Sequence, residues 1–259
     1  SPSNPSFQPR IYKSKRPACR FMVNEEQISL FDLGSSPEPT APKEPPKDFD
    51  PNLIPTSAKI PIPIGTYQTM EQMSNHCNQC HRCDLGANRT HAVVGRGNLN
   101  APIMIVGEGP GQTEDETGLP FVGKSGQLLD KILESVKLTV EEDVFICNVV
   151  KCRPPENRTP STDEAEACKG YLLEQIRMVD PKIILLTGAT AMKNLVGIKQ
   201  GITKVRGQWI DRDGRMYMPI FHPAYLLRNQ SRDQGSPKWL MWQDIQAVRS
   251  KLDEMRAES

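Results

Sequence analysis

Seven cysteines are the first residues in this chain whose type and spacing could do chemistry. Cys80 and Cys83 stand with two residues between them, and Cys152 follows far downstream with fifteen residues between it and Cys168. Cys77 extends the first pair into a three-residue ladder, so one of Cys77, Cys80 and Cys83 is surplus to a four-thiolate set. Thiolates suit a structural zinc or an iron–sulfur cluster equally, and both stay open on the spacing alone. The wide gap between Cys152 and Cys168 does not match a zinc knuckle made of two tight turns. The plainer alternative is unliganded, buried thiols, which is the reading for Cys19 and for Cys147 in an apolar run. An odd count without a basic leader running into an apolar core argues against a disulfide scaffold.

Three further segments carry polar chemistry. Gly107-Glu108-Gly109-Pro110-Gly111 looks like a dinucleotide loop, but its G-x-G-x-G spacing departs from the fingerprint and Gln112–Glu116 places acid where a pyrophosphate would sit. Its glycines instead let backbone approach a small flat ligand. Glu108 and Glu114 are then candidates for acid, base or water-orienting roles. Phe121 lies between tight turns, as core or as a stacking platform. Gly123 to Gly126, with Ser125, offer amides at a helix start, where phosphates bind. Asn148 closes an apolar run, and its amide can read a donor and an acceptor on one base edge. Lys151, Arg153, Asn157 and Arg158 surround Pro154-Pro155 as a rigid basic loop. His222 precedes Pro223-Ala-Tyr225-Leu226-Leu227-Arg228, a context that His76, His81 and His91 lack.

The elements that must position these groups follow from periodicity. Ile103–Val106, Val144–Val150 and Ile183–Leu186 read as buried strands, with a fourth ending near Phe221 after a hairpin at Asp213-Gly214. Helices are expected over 125–137, from the capping box Ser161–Glu164 to about Met178, over Gly188–Val196, and finally with Trp239, Trp242, Ile245, Val248 and Leu252 on one face. Alternating strands and helices imply a mostly parallel sheet covered on both sides, with ligands at the carboxyl ends of the strands.

Composition divides the chain. Thirteen of the 23 prolines fall within residues 1–65, which reads as a disordered tail with no core of its own; residues 66–259 read as globular. One island, Gln27-Ile28-Ser29-Leu30-Phe31, interrupts the tail, and exposed apolar residues there serve nothing unless something binds them. No apolar run is long enough to span a membrane. The net charge of +1 excludes a generally basic nucleic-acid coat, so any DNA contact must be local.

Taken together, CxxCxL at Cys80–Leu85, GEGPG at 107–111, GLPFVGKSG at 118–126, NVVKCRPPENRTP at 148–160, Cys168 and HPAYLLR at 222–228 resemble the family 4 uracil-DNA glycosylases. The resemblance covers about residues 70–255. It implies a three-layer α/β/α sandwich with a central four-stranded, mostly parallel sheet, a [4Fe–4S] cluster rather than zinc, and removal of uracil from single- or double-stranded DNA by a cytoplasmic monomer. It further implies that Cys80, Cys83, Cys152 and Cys168 hold the cluster, leaving Cys77 spare. Phe121 would stack on the flipped base, Asn148 would read its edge, and His222 would donate to O2. Glu108 and Gly109 would line the pocket floor, and Glu114 would orient water. The general base stays open between Glu108, Glu114 and none. DNA would be held by Gly123, Ser125, Lys151, Arg153, Arg158 and Arg228, with the Ala224–Leu227 segment, Tyr225 and Leu226 among it, entering the gap left in the duplex. Gln27, Leu30 and Phe31 resemble the bacterial sliding-clamp pentapeptide. The rival reading is a non-catalytic, metal-stapled DNA-binding module associated with a polymerase.

Overall fold

The computed structural model of the chain describes Ala58 and residues 60–258. The clamp-like pentapeptide, Cys19 and most of the proline-rich stretch lie outside the described residues.

The elements run in the expected order. α1 (Met70–Asn78) and the single turn α2 (Leu85–Asn88) lead into the edge strand β1 (Arg96–Gly97). Next come β2 (Ile103–Gly107), α3 (Gln112–Thr117), α4 (Lys124–Glu134), β3 (Val144–Asn148) and α5 (Thr162–Val179). β4 (Ile183–Thr187), α6 (Ala189–Val196), α7 (Ile202–Val205), β5 (Ile210–Arg212), β6 (Arg215–Ile220), α8 (Pro223–Arg228) and α9 (Pro237–Ala257) complete the chain. The capping box closes as expected at α5: the Ser161 hydroxyl accepts from the Glu164 amide, while Glu164 accepts from the Ser161 amide.

The sheet has six strands in the order β1-β3-β2-β4-β6-β5. Its four inner strands are parallel, as expected, and the short antiparallel strands β1 and β5 are added at the two edges. Successive side chains of a strand point to opposite faces, and every inner strand keeps to that rule. Ile103, Ile105, Val144, Ile146, Ile183 and Leu185 pack on the face covered by α4 and α9. Met104, Val106, Phe145, Cys147, Ile184 and Leu186 pack on the face covered by α1, α5 and α6. Both faces are dry, which is why these strands read as continuous apolar runs rather than alternating ones.

Two expectations need correction. The last helix buries Met241, Ile245, Val248 and Leu252, while Trp242 is 46% exposed; the apolar stripe runs through Met241, and the large indole diverted the reading. The tail boundary at residue 65 also falls too late. Ile62 is buried where Gly170 has no side chain to block it, and the amides of Gly65 and Tyr67 donate to the fully buried Glu174 carboxylate. Prolines at 61 and 63 masked a segment that packs.

Candidate active site

A cleft of about 570 Å³ opens at the carboxyl ends of the inner strands, where the strand order reverses around β2. Its walls come from the turns after all four parallel strands: Glu108–Gly111 after β2, Asn148 at the end of β3, Gly188-Ala189 after β4 and His222 after β6. Phe121, Glu114, Ser125, Pro154, Asn157, Arg158, Tyr225 and Arg228 complete it.

Asn148 is 1% exposed, and its Oδ1 is buried without a hydrogen-bond partner. Such an atom costs roughly 1–3 kcal/mol if left unmet, so it marks a place for a donor. Gly107 lies beneath it: a Cβ there would come within 2.3 Å of Asn148 Oδ1 and 2.6 Å of the Phe121 ring. Only glycine lets the amide and the ring share that position.

Phe121 is buried with φ of 54°, a conformation that costs a non-glycine residue energy unless its surroundings impose it. They do. Arg96 donates from Nε to Pro120 O at 2.8 Å and from Nη2 to Phe121 O at 3.1 Å, while pairing with Asp130 at 2.6 Å. Phe121 O also presses against Gly126, where a Cβ would come within 1.7 Å. The ring then lies 5.7 Å from the His222 ring, tilted by 31°.

His222 caps α8, with its Nδ1 accepting from the Ala224 amide at 3.1 Å. That bond leaves the proton on Nε2. Burial, aided by the Arg228 cation and opposed by Glu114, lowers the imidazole pKa from 6.5 to about 4. At neutral pH the ring is therefore an uncharged N–H donor.

The two carboxylates differ. Glu108 accepts from the Thr190 hydroxyl and is only half-buried. Glu114 is buried, and its Oε1 accepts from the amides of Val122 and Gly123 at 3.1 and 2.8 Å. Glu114 thus holds the Phe121 turn in place, and the Gly123 amide expected to meet a phosphate is already engaged.

Two more expected DNA contacts are corrected. Lys151 is 1% exposed; its Nζ donates to Asn148 O at 2.6 Å and to Gln175 Oε1, so its charge is internal. Leu226 is 1% exposed in the core beneath α8. Tyr225 and Arg228 do line the cleft, with Tyr225 packed on Phe221. Arg158 reaches the rim, although Glu164 holds it by two hydrogen bonds and is itself drawn down to a pKa of about 2 by that guanidinium. Arg153 donates to Asn157 Oδ1 at 2.8 Å. Arg96 and Thr190 were missed: one is a lone arginine between two glycines, the other an ordinary helix threonine, and neither type or spacing distinguishes them.

On the face of the sheet covered by α1, α5 and α6, Cys80, Cys83, Cys152 and Cys168 line one small gap, and Cys77 lines it with them. Cys147 is buried in β3, apart from that lining. Burial pushes the thiols of Cys152 and Cys168 up to about 11 and about 12. Among the described residues no group of three or more His, Cys, Asp or Glu is gathered to hold a single metal ion. The surroundings nevertheless fit an anionic sulfur cluster. The Lys151 amide points at Cys168 Sγ at 3.4 Å and Arg89 Nη1 at Cys152 Sγ at 3.8 Å. At the gap the buried Arg82 Nη1 has no hydrogen-bond partner, and the Tyr171 hydroxyl beside it meets the Cys80 sulfur.

Comparison with known proteins supplies the context for both sites. Residues 94–246 match the family model described as the uracil DNA glycosylase superfamily. A protein of Thermotoga maritima named type-4 uracil-DNA glycosylase is 48% identical over 71% of this chain and 94% of its own length. Proteins of the same name from Sulfurisphaera tokodaii and Saccharolobus solfataricus are 42% and 40% identical, each over 62% of this chain and 77% and 78% of their own lengths.

Proposed function

The chain belongs to the uracil-DNA glycosylase superfamily, in its type-4 branch, and from that premise we propose a specific role for each residue of the cleft in excising uracil from DNA. As a uracil-DNA glycosylase it hydrolyses the bond between the base and its deoxyribose. The observation that carries the assignment is the pairing of an unmet acceptor, Asn148 Oδ1, with a neutral donor, His222 Nε2–H, across one cleft.

A base inside a duplex is out of reach, so it is flipped out at a cost of about a few kcal/mol. The Phe121 ring offsets part of that by stacking, worth about 1–3 kcal/mol per base. Asn148 accepts from the N3–H and donates to O4, which excludes cytosine, whose N3 and N4 present the opposite pattern. When the glycosidic bond breaks, its electron pair leaves on the base and gathers at N1 and O2. The His222 Nε2–H meets O2 as that charge grows. A neutral, preorganised donor of this kind is worth about 10²–10³ in rate, by analogy with single oxyanion donors. Water completes the reaction at the sugar carbon, and Glu108 is the half-exposed carboxylate available to orient it. Glu114 acts through the Phe121 turn, as a positioning residue.

Cys80, Cys83, Cys152 and Cys168 are the proposed holders of a [4Fe–4S] cluster, and thiols set around a gap suit several irons better than one zinc. Bound there, the cluster supplies metal–thiolate bonds that tie the segment after α1 to the segment after β3. The pentapeptide at Gln27, Leu30 and Phe31 is proposed to tether the enzyme to a sliding clamp; Phe31→Ala then abolishes clamp binding without changing excision, and unchanged clamp binding refutes it.

The assignment is tested by incubating the protein with a uracil-containing oligonucleotide, followed by alkali. Strand scission at uracil, abolished by Phe121→Ala with His222→Ala, is expected. Scission that survives both substitutions would place the chemistry elsewhere.

A further inference from the structure

Of the five thiols at the cysteine gap, Cys77 is the one left outside the cluster assignment. It sits in the last turn of α1, is 1% exposed, and lines the gap together with all four proposed ligands. The electrostatic influence of Cys168, Cys80 and Cys152 reaches it. Cys80 follows one turn later along the same stretch, its amide donating to Cys77 O at 3.2 Å. The two thiols therefore approach the gap from one continuous stretch, the end of α1 and the turn after it. They differ in shelter: Cys77 is buried, whereas Cys80 and Cys83 are partly exposed. A hydrophobic residue would fill a core position at the end of α1 as well as a thiol does. The buried, unpartnered Arg82 Nη1 at the same gap independently marks it as a place for an electron-rich group.

We propose that Cys77 is a reserve ligand, which takes over an iron of the cluster when the more exposed Cys80 is lost. This rests on the cluster assignment above. The exchange is redox-neutral. Cys77 gives up its thiol proton as its sulfur bonds iron; the bond from Cys80 breaks, and the departing thiolate takes up a proton. No electron moves. When Cys80 is absent, the Cys77 proton passes to solvent.

The test uses the full chain, purified without oxygen, with iron content and absorption near ~400 nm as readouts and circular dichroism as the check on folding. Wild type carries iron; if it does not, the cluster assignment itself fails, whatever Cys77 does. Given iron in wild type, Cys77→Ala keeps it. Cys80→Ala keeps most of it, while Cys152→Ala loses it. The double variant Cys77→Ala/Cys80→Ala loses it as Cys152→Ala does. Loss in Cys80→Ala alone overturns the proposal, as does retention in the double variant or loss in Cys77→Ala alone. Should Cys80→Ala fail to fold, Cys80→Ser with and without Cys77→Ala provides the same comparison, and equal iron in that pair overturns the proposal too.

Discussion

The cleft lies at the carboxyl ends of the parallel strands and the cysteine gap on the face covered by α1, α5 and α6, and both draw on the five residues from Asn148 to Cys152. Their unmet groups are of different kinds. In the cleft stand an uncharged acceptor and an uncharged donor, Asn148 Oδ1 and His222 Nε2–H, and their proposed guest is a neutral base that becomes an anion only as its bond breaks. At the gap the waiting atom is a donor, Arg82 Nη1, beside thiols that the proposed metal cluster would turn into permanent anions. On the proposed roles, one site meets charge that appears briefly and the other charge that stays. Lys151 stands between them, with its amide toward Cys168 and its ammonium on the Asn148 carbonyl.

If that division holds, damage to one site should leave the other's signature intact. The largest effect is expected from His222→Ala, which lowers single-turnover excision by about 10²–10³ while iron content stays at the wild-type level. Phe121→Ala comes next: losing about 1–3 kcal/mol of stacking weakens excision by roughly five- to 150-fold, again without loss of iron. Lys151→Met breaks the link rather than either site. It leaves the Asn148 carbonyl and Gln175 Oε1 unpaired, and thermal or urea denaturation should register a loss of about 1–3 kcal/mol. Excision should fall alongside, because Asn148 loses its anchor. A Lys151→Met protein of unchanged stability and activity would dissolve the connection. Arg158→Ala should do least, changing affinity for DNA by less than about threefold at physiological salt, since an exposed charge already paired with Glu164 has little left to give.

How far the sequence disclosed this arrangement depended on what each residue was asked to do. The inner strands were legible because a strand buried on both faces must be apolar throughout, and Ile103–Val106 and Ile183–Leu186 are. Phe121, Asn148 and His222 were legible because each sits at a strand end or turn inside a recognisable motif, and the structure brings them to one cleft. Lys151 was misread: a lysine in a basic loop ordinarily faces solvent, and only the three-dimensional positions of Asn148 O and Gln175 reveal its internal partners. Leu226 was misread because a six-residue helix, α8, turns it inward while Tyr225 and Arg228 face the cleft. Arg96 could not be read at all, since its role rests on carbonyls more than twenty residues away. Local periodicity records which way a strand faces; it does not record which distant backbone a side chain will hold.

The central claim is that a neutral His222 supplies the donor for the departing base. Burial has lowered its pKa from 6.5 to about 4, so the neutral form is the folded form. Its contribution to stability is complete above pH 6.5 and is lost as pH falls through about 4, because the unfolded chain takes up the proton first. The most direct test is the single-turnover rate of uracil release from a uracil-containing oligonucleotide, followed from pH 4 to 8 in wild type and His222→Ala. The wild-type rate should stay level through pH 6.5 and bend only near pH 4, with the variant about 10²–10³ lower and without that bend. A wild-type bend at pH 6.5, or a variant within about tenfold of wild type, would contradict the account.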